Sequence, residues 1–197
     1  MIILKVKYIL LTGGAGYIGS HMYVFLKSQN LTPIILDNYS NSNYKVLQKI
    51  KLITNDDVIS YKGEISDAKL VIDIINKYEI SSIMHFAALK SVENSNLEPT
   101  LYLNNNVNGF ISLLGAMLKT KCRKVILSSS ACVYGNPNQL PIKEGHELKP
   151  LNVYGQTKLM CEQILTSYSK SNEKIQFSIL RYFNPIGAHQ SGLIGED

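Results

Sequence analysis

Tyr8-Ile9-Leu10-Leu11-Thr12-Gly13-Gly14-Ala15-Gly16-Tyr17-Ile18-Gly19 is the stretch whose reading decides the fold. Tyr8 to Leu11 form an apolar run rather than an alternation, which suits a strand buried on both faces. Gly13, Gly16 and Gly19 are spaced three apart and permit a tight turn with close backbone approach. Beyond them Ile18, Met22, Phe25 and Leu26 recur at helical spacing. Strand, glycine turn and helix in that order open a βαβ unit. A pyrophosphate would rest on the N-terminus of the helix, where free N–H groups and the helix dipole favour negative charge. A glycine-rich turn alone is common, so the surrounding sequence has to decide.

Outward from this stretch, short apolar runs alternate with segments of helical period. Pro33–Leu36 is a second strand ending at Asp37, followed by a weak helix carrying Val46, Leu47 and Ile50. Val58–Tyr61 is a third strand, and Asp67 reads as the N-cap of a helix with Leu70, Val71, Ile74 and Ile75 inward. Ser82–Phe86 is a fourth strand. One long helix starts near Pro99 and buries Val107, Phe110, Leu114 and Met117. Lys124–Leu127 is a fifth strand, running into Ser128–Ser130. A helix from near Val153 carries Leu159, Ile164 and Leu165, and Phe177–Leu180 is the sixth strand. Apolar strands separated by helices predict an α/β fold: a doubly wound, Rossmann-type parallel sheet in the order 3-2-1-4-5-6. The leading run Ile2–Leu4, broken by Lys5 and Lys7, reads as a buried strand rather than a signal peptide.

Composition narrows the function classes. The 197 residues suit one domain or one with a small appendage, and 45% hydrophobic with 18% charged residues excludes disordered, collagen-like and coiled-coil chains. No apolar run approaches the roughly 18 residues of a membrane helix, so no membrane partner is expected. Cys122, Cys132 and Cys161 form no C-x-x-C pair, which argues against disulfides and cysteine zinc sites and for the cytoplasm. They read as small packed apolar groups. His21, His85, His146 and His189 show no metal-ligand spacing, and His85 reads as a satisfied core residue. The net charge of +5 is mostly lysine spread along the chain, with arginine only at Arg123 and Arg181. That is a solvated surface, not a nucleic-acid face.

Asp37 supplies the context that the glycine turn needs. A carboxylate at the end of the second strand can accept both hydroxyls of an adenosine ribose and repels a 2′-phosphate. No arginine follows in Asn38–Ser42 to receive one, so the expected cofactor is NAD rather than NADP. Tyr154 and Lys158 stand four apart on one helix face, and Ser130 ends the fifth strand at the same rim. A phenol is a poor base at neutral pH unless nearby positive charge lowers its pKa, a task for Lys158 and an oxidised nicotinamide. Tyr154 could then take a proton from a substrate hydroxyl while Ser130 holds the reacting oxygen. Asn104–Asn106 reads either as a polar helix face or as a cofactor contact.

These segments resemble the extended short-chain dehydrogenase/reductase family. The resemblance rests on Thr12–Ser20, Asp37–Ser42, His85–Val92, Asn105–Gly109, Ser128–Gly135, Tyr154–Lys158 and Arg181–Gly187, with the tail Ala188–Asp197. Phe86–Lys90 and Arg181–His189 are the segments that resemble those members inverting C4 of the hexose in UDP-glucose and UDP-galactose. Related dehydratases carry an acidic pair where this chain has Ala131–Cys132.

The resemblance implies a reaction through a 4-keto sugar with tightly bound NAD. It implies Ser130, Tyr154 and Lys158 as catalytic residues. Gly13, Gly16, Tyr17, Ile18 and Gly19 would hold the pyrophosphate, and Asp37, Asn38, Tyr39, Ser40, Asn41 and Ser42 the adenosine ribose and its surroundings. Glu64 and Ile65 would lie at the adenine. Phe86, Ala87, Ala88, Leu89, Lys90, Asn105 and Phe183 would line the cofactor cleft. Lys90, Ser130, Tyr154 and Asn184 would meet the nucleotide sugar. Glu64 stands where the family usually has Asp, and Cys132 where it usually has Thr.

Residues 1–184 are expected to form the cofactor domain, and residues 185–197 the start of a substrate lobe that family members carry at greater length. A homodimer through the helices after strands four and five is a further implication. Two other readings stay open: a non-catalytic dinucleotide-binding module, and epimerisation of UDP-N-acetylhexosamines.

Overall fold

Leu10 and Leu11 in β1 (Tyr8–Thr12) are fully buried, which requires a strand neighbour on each edge and a helix layer on each face. Both are present. β1 pairs in parallel with β2 (Thr32–Asp37) and with β4 (Ser82–His85). β3 (Ser60–Lys62) adds to β2, β5 (Lys124–Ser130) to β4, and β6 (Gln176–Tyr182) to β5, all parallel. The order β3-β2-β1-β4-β5-β6 is the one predicted. This computed structural model describes residues 7–170 and 175–196; the strand predicted over Ile2–Leu4 lies outside them.

The two faces are covered by different helices, as right-handed crossovers demand. α1 (Tyr17–Ser28) and α2 (Val46–Thr54) bury Tyr23, Leu26, Leu47 and Ile50 against Ile9, Leu11 and Ile35. On the opposite face, α3 (Ala68–Tyr78) and the helices after β4 and β5 pack over Leu10, Ile34, Leu36, Ile83, Val125 and Leu127. Asp67 caps α3 as predicted, its carboxylate accepting the Leu70 amide at 3.0 Å. Asp67→Ala is expected to cost about 1 kcal/mol in urea unfolding; an unchanged midpoint would mean that water replaces the cap.

The chain between β4 and β5 departs from the single predicted helix. α4 (Val92–Leu97) comes first, with Ser91 accepting the Asn94 amide. Pro99 disfavours helical geometry at the residue before it, and Glu98 accordingly breaks out (φ −126°, ψ 59°). α5 (Pro99–Tyr102) then widens into a π turn over Leu103–Asn108 before α6 (Gly109–Leu118). The turn coincides with Asn106 pointing inward, where it accepts the Leu89 amide and donates to the Leu89 carbonyl and the Thr157 hydroxyl. Such widened turns often accompany functional sites.

Strand limits also shift. β3 begins only at Ser60, although the Ile59 carbonyl still accepts the Ile35 amide. β4 stops at His85 because the amides of Phe86 and Ala87 both turn back onto the Thr12 carbonyl. β6 is not buried on both faces. It is the last strand of the sheet, and its exposure alternates, with Phe177 and Ile179 inward and Leu180 exposed. α7 (Val153–Lys170) covers its inner side.

Candidate active site

The strands end on one rim, and a cleft of about 880 Å³ runs along it. At one end lies the glycine turn. Gly13 sits at φ +70°, and a Cβ there would fall 2.5 Å from the Ala87 amide nitrogen. A Cβ on Gly19 would fall 2.4 Å from the Gly13 carbonyl oxygen. The turn therefore packs backbone on backbone. Gly16 precedes α1 without a side-chain cap, so the amides of Tyr17 and Ile18 have no intrahelical acceptor on the cleft side.

Asp37 has several partners within the protein. One oxygen accepts the Ala15 amide at 2.9 Å, tying the glycine turn to the end of β2. The other accepts the Tyr39 amide at 2.9 Å and the Ser42 hydroxyl at 3.1 Å. Of these partners only the Ser42 hydroxyl can rotate away for a ligand. Beside it the Asn38 amide reaches both oxygens of Glu64 at 3.1 Å. The longer side chain at position 64 thus finds a protein partner. Asp37 and Glu64 together put two carboxylates at this end of the cleft.

The other end carries the reactive groups. Ser130 closes β5, while Tyr154 and Lys158 project from the first two turns of α7. The Lys158 amine is buried, donates to the Ser128 carbonyl at 2.8 Å, and lies 5.8 Å from the centre of the Tyr154 ring. Burial pushes its pKa down, opposed by Cys161 and by the Glu162 carboxylate. In the chain by itself the Tyr154 pKa is raised. Burial outweighs the hydrogen bond with Ser130, and the Lys158 amine is turned toward the strand carbonyl. The phenol needs added positive charge in the cleft before it can serve as a base near neutrality.

His85 lies behind this end as the predicted core residue, stacked on Phe110 at 4.9 Å, with Nδ1 2.7 Å from the Thr12 hydroxyl. Burial, and then the Lys158 charge, hold its pKa down to about 3. The unfolded chain, with its ordinary value of 6.5, therefore takes up this proton first. The neutral ring contributes its full stability above that value and loses it as pH falls toward 3. Between about pH 7.5 and pH 5 the wild type should lose about 2 kcal/mol from this group, and His85→Asn should lose less by that amount. Equal pH slopes in urea unfolding would contradict this.

Most of the predicted site residues line the cleft: Gly13, Gly16 to Gly19, Asp37, Asn38, Ser40 to Ser42, Glu64, Ile65, Phe86 to Lys90, Asn105, Ser130, Tyr154, Lys158 and Phe183. Asn105 belongs to the π turn, not to a strand end. Two residues are not brought there. The Tyr39 ring packs into the core beside α1 and α2, and Asn184 is exposed outside the lining.

Sequence reasoning missed the return of the C-terminal segment. Tyr17 donates to the Gly187 carbonyl at 2.8 Å, Lys90 pairs with Glu196 at 3.1 Å, and Ile194 is buried at the cleft edge. It also missed the pair of buried Glu162 and half-buried Arg181. Their carboxylate and guanidinium meet twice, at 3.0 and 2.7 Å. Glu162 continues the four-residue spacing of Tyr154 and Lys158, a signal present in the sequence.

The cleft therefore offers anion-binding amides at one end and a serine, a phenol and an amine at the other. No carboxylate follows Ser130, where Ala131 and Cys132 form a single 3-10 turn. Among the described residues no group of His, Cys, Asp and Glu could hold a metal ion, and no helix is long and apolar enough to cross a membrane.

The chain is 44% identical to a UDP-glucose 4-epimerase of Dictyostelium discoideum over 96% of its own length and 55% of that protein. It is 47% identical to the UDP-glucose 4-epimerase of Haemophilus influenzae, covering 96% of this chain and 56% of the other. The structure of UDP-glucose 4-epimerase from Bifidobacterium longum, in complex with NAD+ and UDP, superposes with a TM-score of 0.94 at 40% identity, over 97% of this chain and 57% of that one. The chain thus spans about half the length of the relatives it matches. Residues 10–197, which carry the glycine turn, Asp37 and the Ser130–Tyr154–Lys158 set, match the family described as GDP-mannose 4,6 dehydratase, and the chain belongs to that family.

Proposed function

We propose that this chain binds NAD in the rim cleft and carries the cofactor and acid–base part of an epimerase that inverts C4 of the hexose in UDP-glucose and UDP-galactose. The observation that carries this reading is the arrangement of one cleft. Uncapped helix amides and Asp37 occupy one end, and Ser130, Tyr154 and Lys158 occupy the other. The amides of Tyr17 and Ile18 take the pyrophosphate, and Asp37 takes the ribose as Ser42 releases it. Asn38 and Glu64 flank the adenine, while Phe86 to Lys90, Asn105 and Phe183 enclose the remaining length. When bound, NAD supplies the hydride chemistry at C4.

The chain's own residues handle the proton and the placement. Ser130 holds the C4 oxygen by a hydrogen bond, and Tyr154 accepts its proton and later returns it. Lys158, anchored on Ser128, provides positive charge beside the phenol. Lys90 and Asn184 reach toward the nucleotide sugar; Asn184 must turn inward to do so. Residues 1–184 form the cofactor part, and residues 185–197 begin the substrate lobe. Dehydration is disfavoured because expelling a hydroxyl calls for an acid near the sugar, and Ala131 and Cys132 follow Ser130.

The test is direct. The chain is incubated with UDP-galactose and NAD, and UDP-glucose is sought by chromatography. Its appearance supports the proposal. Binding of NAD without turnover would leave a dinucleotide-binding module, and absence of both would reject the reading.

A further inference from the structure

The face of α7 that carries Tyr154 and Lys158 continues to Glu162, and all three meet the end of β5. Tyr154 interacts with Ser130, Lys158 donates to the Ser128 carbonyl, and Glu162 accepts the Ser129 hydroxyl. Ser129 pairs in register with Arg181 of β6, and Arg181 grips Glu162 through Nε and Nη2. Arg181 is held in turn by the Tyr134 hydroxyl at 2.8 Å and the Glu144 carbonyl at 3.0 Å, with its guanidinium 5.0 Å from the Tyr134 ring centre. Glu162 is only 4% exposed. A largely buried charge pair of this kind is a weak source of net stability, and its best-attested use is to fix register.

We propose that Glu162 is a positioning residue, whose bridge to Ser129 and Arg181 sets the register of α7 on β5 and β6 and whose charge keeps the buried Lys158 amine protonated beneath Tyr154. The inference rests on the proposed role of Tyr154 and Lys158, and it extends that role to a residue outside the cleft lining.

The surroundings of Lys158 make its charge state sensitive to Glu162. On α7 it is faced by Tyr154, Cys161 and Glu162, on β5 by the Ser128 carbonyl, and on β4 by the neutral His85. Cys161 is the larger of the two influences that oppose burial, but its thiol is pushed up to about 11 and is neutral at pH 7, so Glu162 is the negative charge in this group, and Arg181 on β6 is the cation that partly cancels it. Removing either charge should therefore move Lys158 in opposite directions. Loss of a merely structural contact would not produce that pair of signs.

The experiment follows the Lys158 side chain by NMR in the 197-residue chain with labelled lysine, the signal being assigned by its absence in Lys158→Met. Glu162→Gln should lower the Lys158 titration midpoint, and Arg181→Gln should raise it. Glu162→Asp, which keeps the charge, should restore most of the shift. No change in either variant, or shifts of the same sign, would overturn the proposal. If Glu162→Gln does not fold, the direction seen in Arg181→Gln decides alone. The measurement needs no cofactor. A chain that shows the opposed shifts yet binds no NAD would keep this inference and lose the proposed function.

Discussion

Tyr154→Phe is expected to lower conversion of UDP-galactose to UDP-glucose by about 10²- to 10⁴-fold, the usual contribution of a positioned acid–base group. Affinity for NAD should stay within about threefold, since one hydrogen bond at most is lost on the binding side. The reasoning is local. The substitution deletes the phenolic oxygen and its bond to Ser130 but keeps the ring over Lys158. It also keeps the Tyr154 amide on the Ser95 hydroxyl at 3.1 Å, so the first turn of α7 stays anchored. Chromatographic turnover and calorimetric binding on the same preparation check both halves. Turnover preserved in the Phe variant would remove Tyr154 as the base. Affinity lost together with turnover would show that the ring, not the oxygen, had been disturbed.

Gly13→Ala should be strongly destabilising. Two penalties coincide there. A left-handed backbone (φ +70°) costs a non-glycine residue about 1–2 kcal/mol. The new Cβ would also stand 2.5 Å from the Ala87 nitrogen and 2.7 Å from the Ala87 Cα, which are backbone atoms that cannot swing aside. Overpacking of this kind adds about 1–3 kcal/mol. The sum, about 2–5 kcal/mol, should appear as a lower urea midpoint. NAD affinity should fall with it, because the turn and the Phe86–Lys90 loop move apart. Gly145→Ala is the control, as nothing lies within 4 Å of its added Cβ. Equal stability of the two variants would mean that the glycine turn is looser than its packing implies.

The sheet order was legible because each strand announces itself as an apolar run and each crossover as a helical period. Those are the signals that burial on two faces leaves in a sequence. Asp67 was legible as a cap for a similar reason, since the chemistry is completed three residues away. The π turn was not. Asn104–Asn106 breaks the apolar period, and nothing local says that Asn106 will bond Leu89 and Thr157 across the layer. The extent of Tyr154 burial was not legible either, because spacing reveals which charges are near but not how much water is excluded. Tyr39 was expected in the cleft with its neighbours. Its left-handed backbone (φ 60°) accompanies a side chain packed in the core instead. Glu162 and Arg181 sit on different elements, and a pair of that kind becomes visible only when helix and strand are packed.

Under the proposed function the rim cleft is a dinucleotide site, with the carboxylates of Asp37 and Glu64 at its ribose end. Titration calorimetry of the chain with NAD and, separately, NADP tests it most directly. One NAD per chain should bind saturably, and NADP should bind more weakly by at least about tenfold, or about 1.4 kcal/mol, because a 2′-phosphate would meet the Asp37 carboxylate. Failure of NAD to bind, or NADP binding as tightly as NAD, would contradict it.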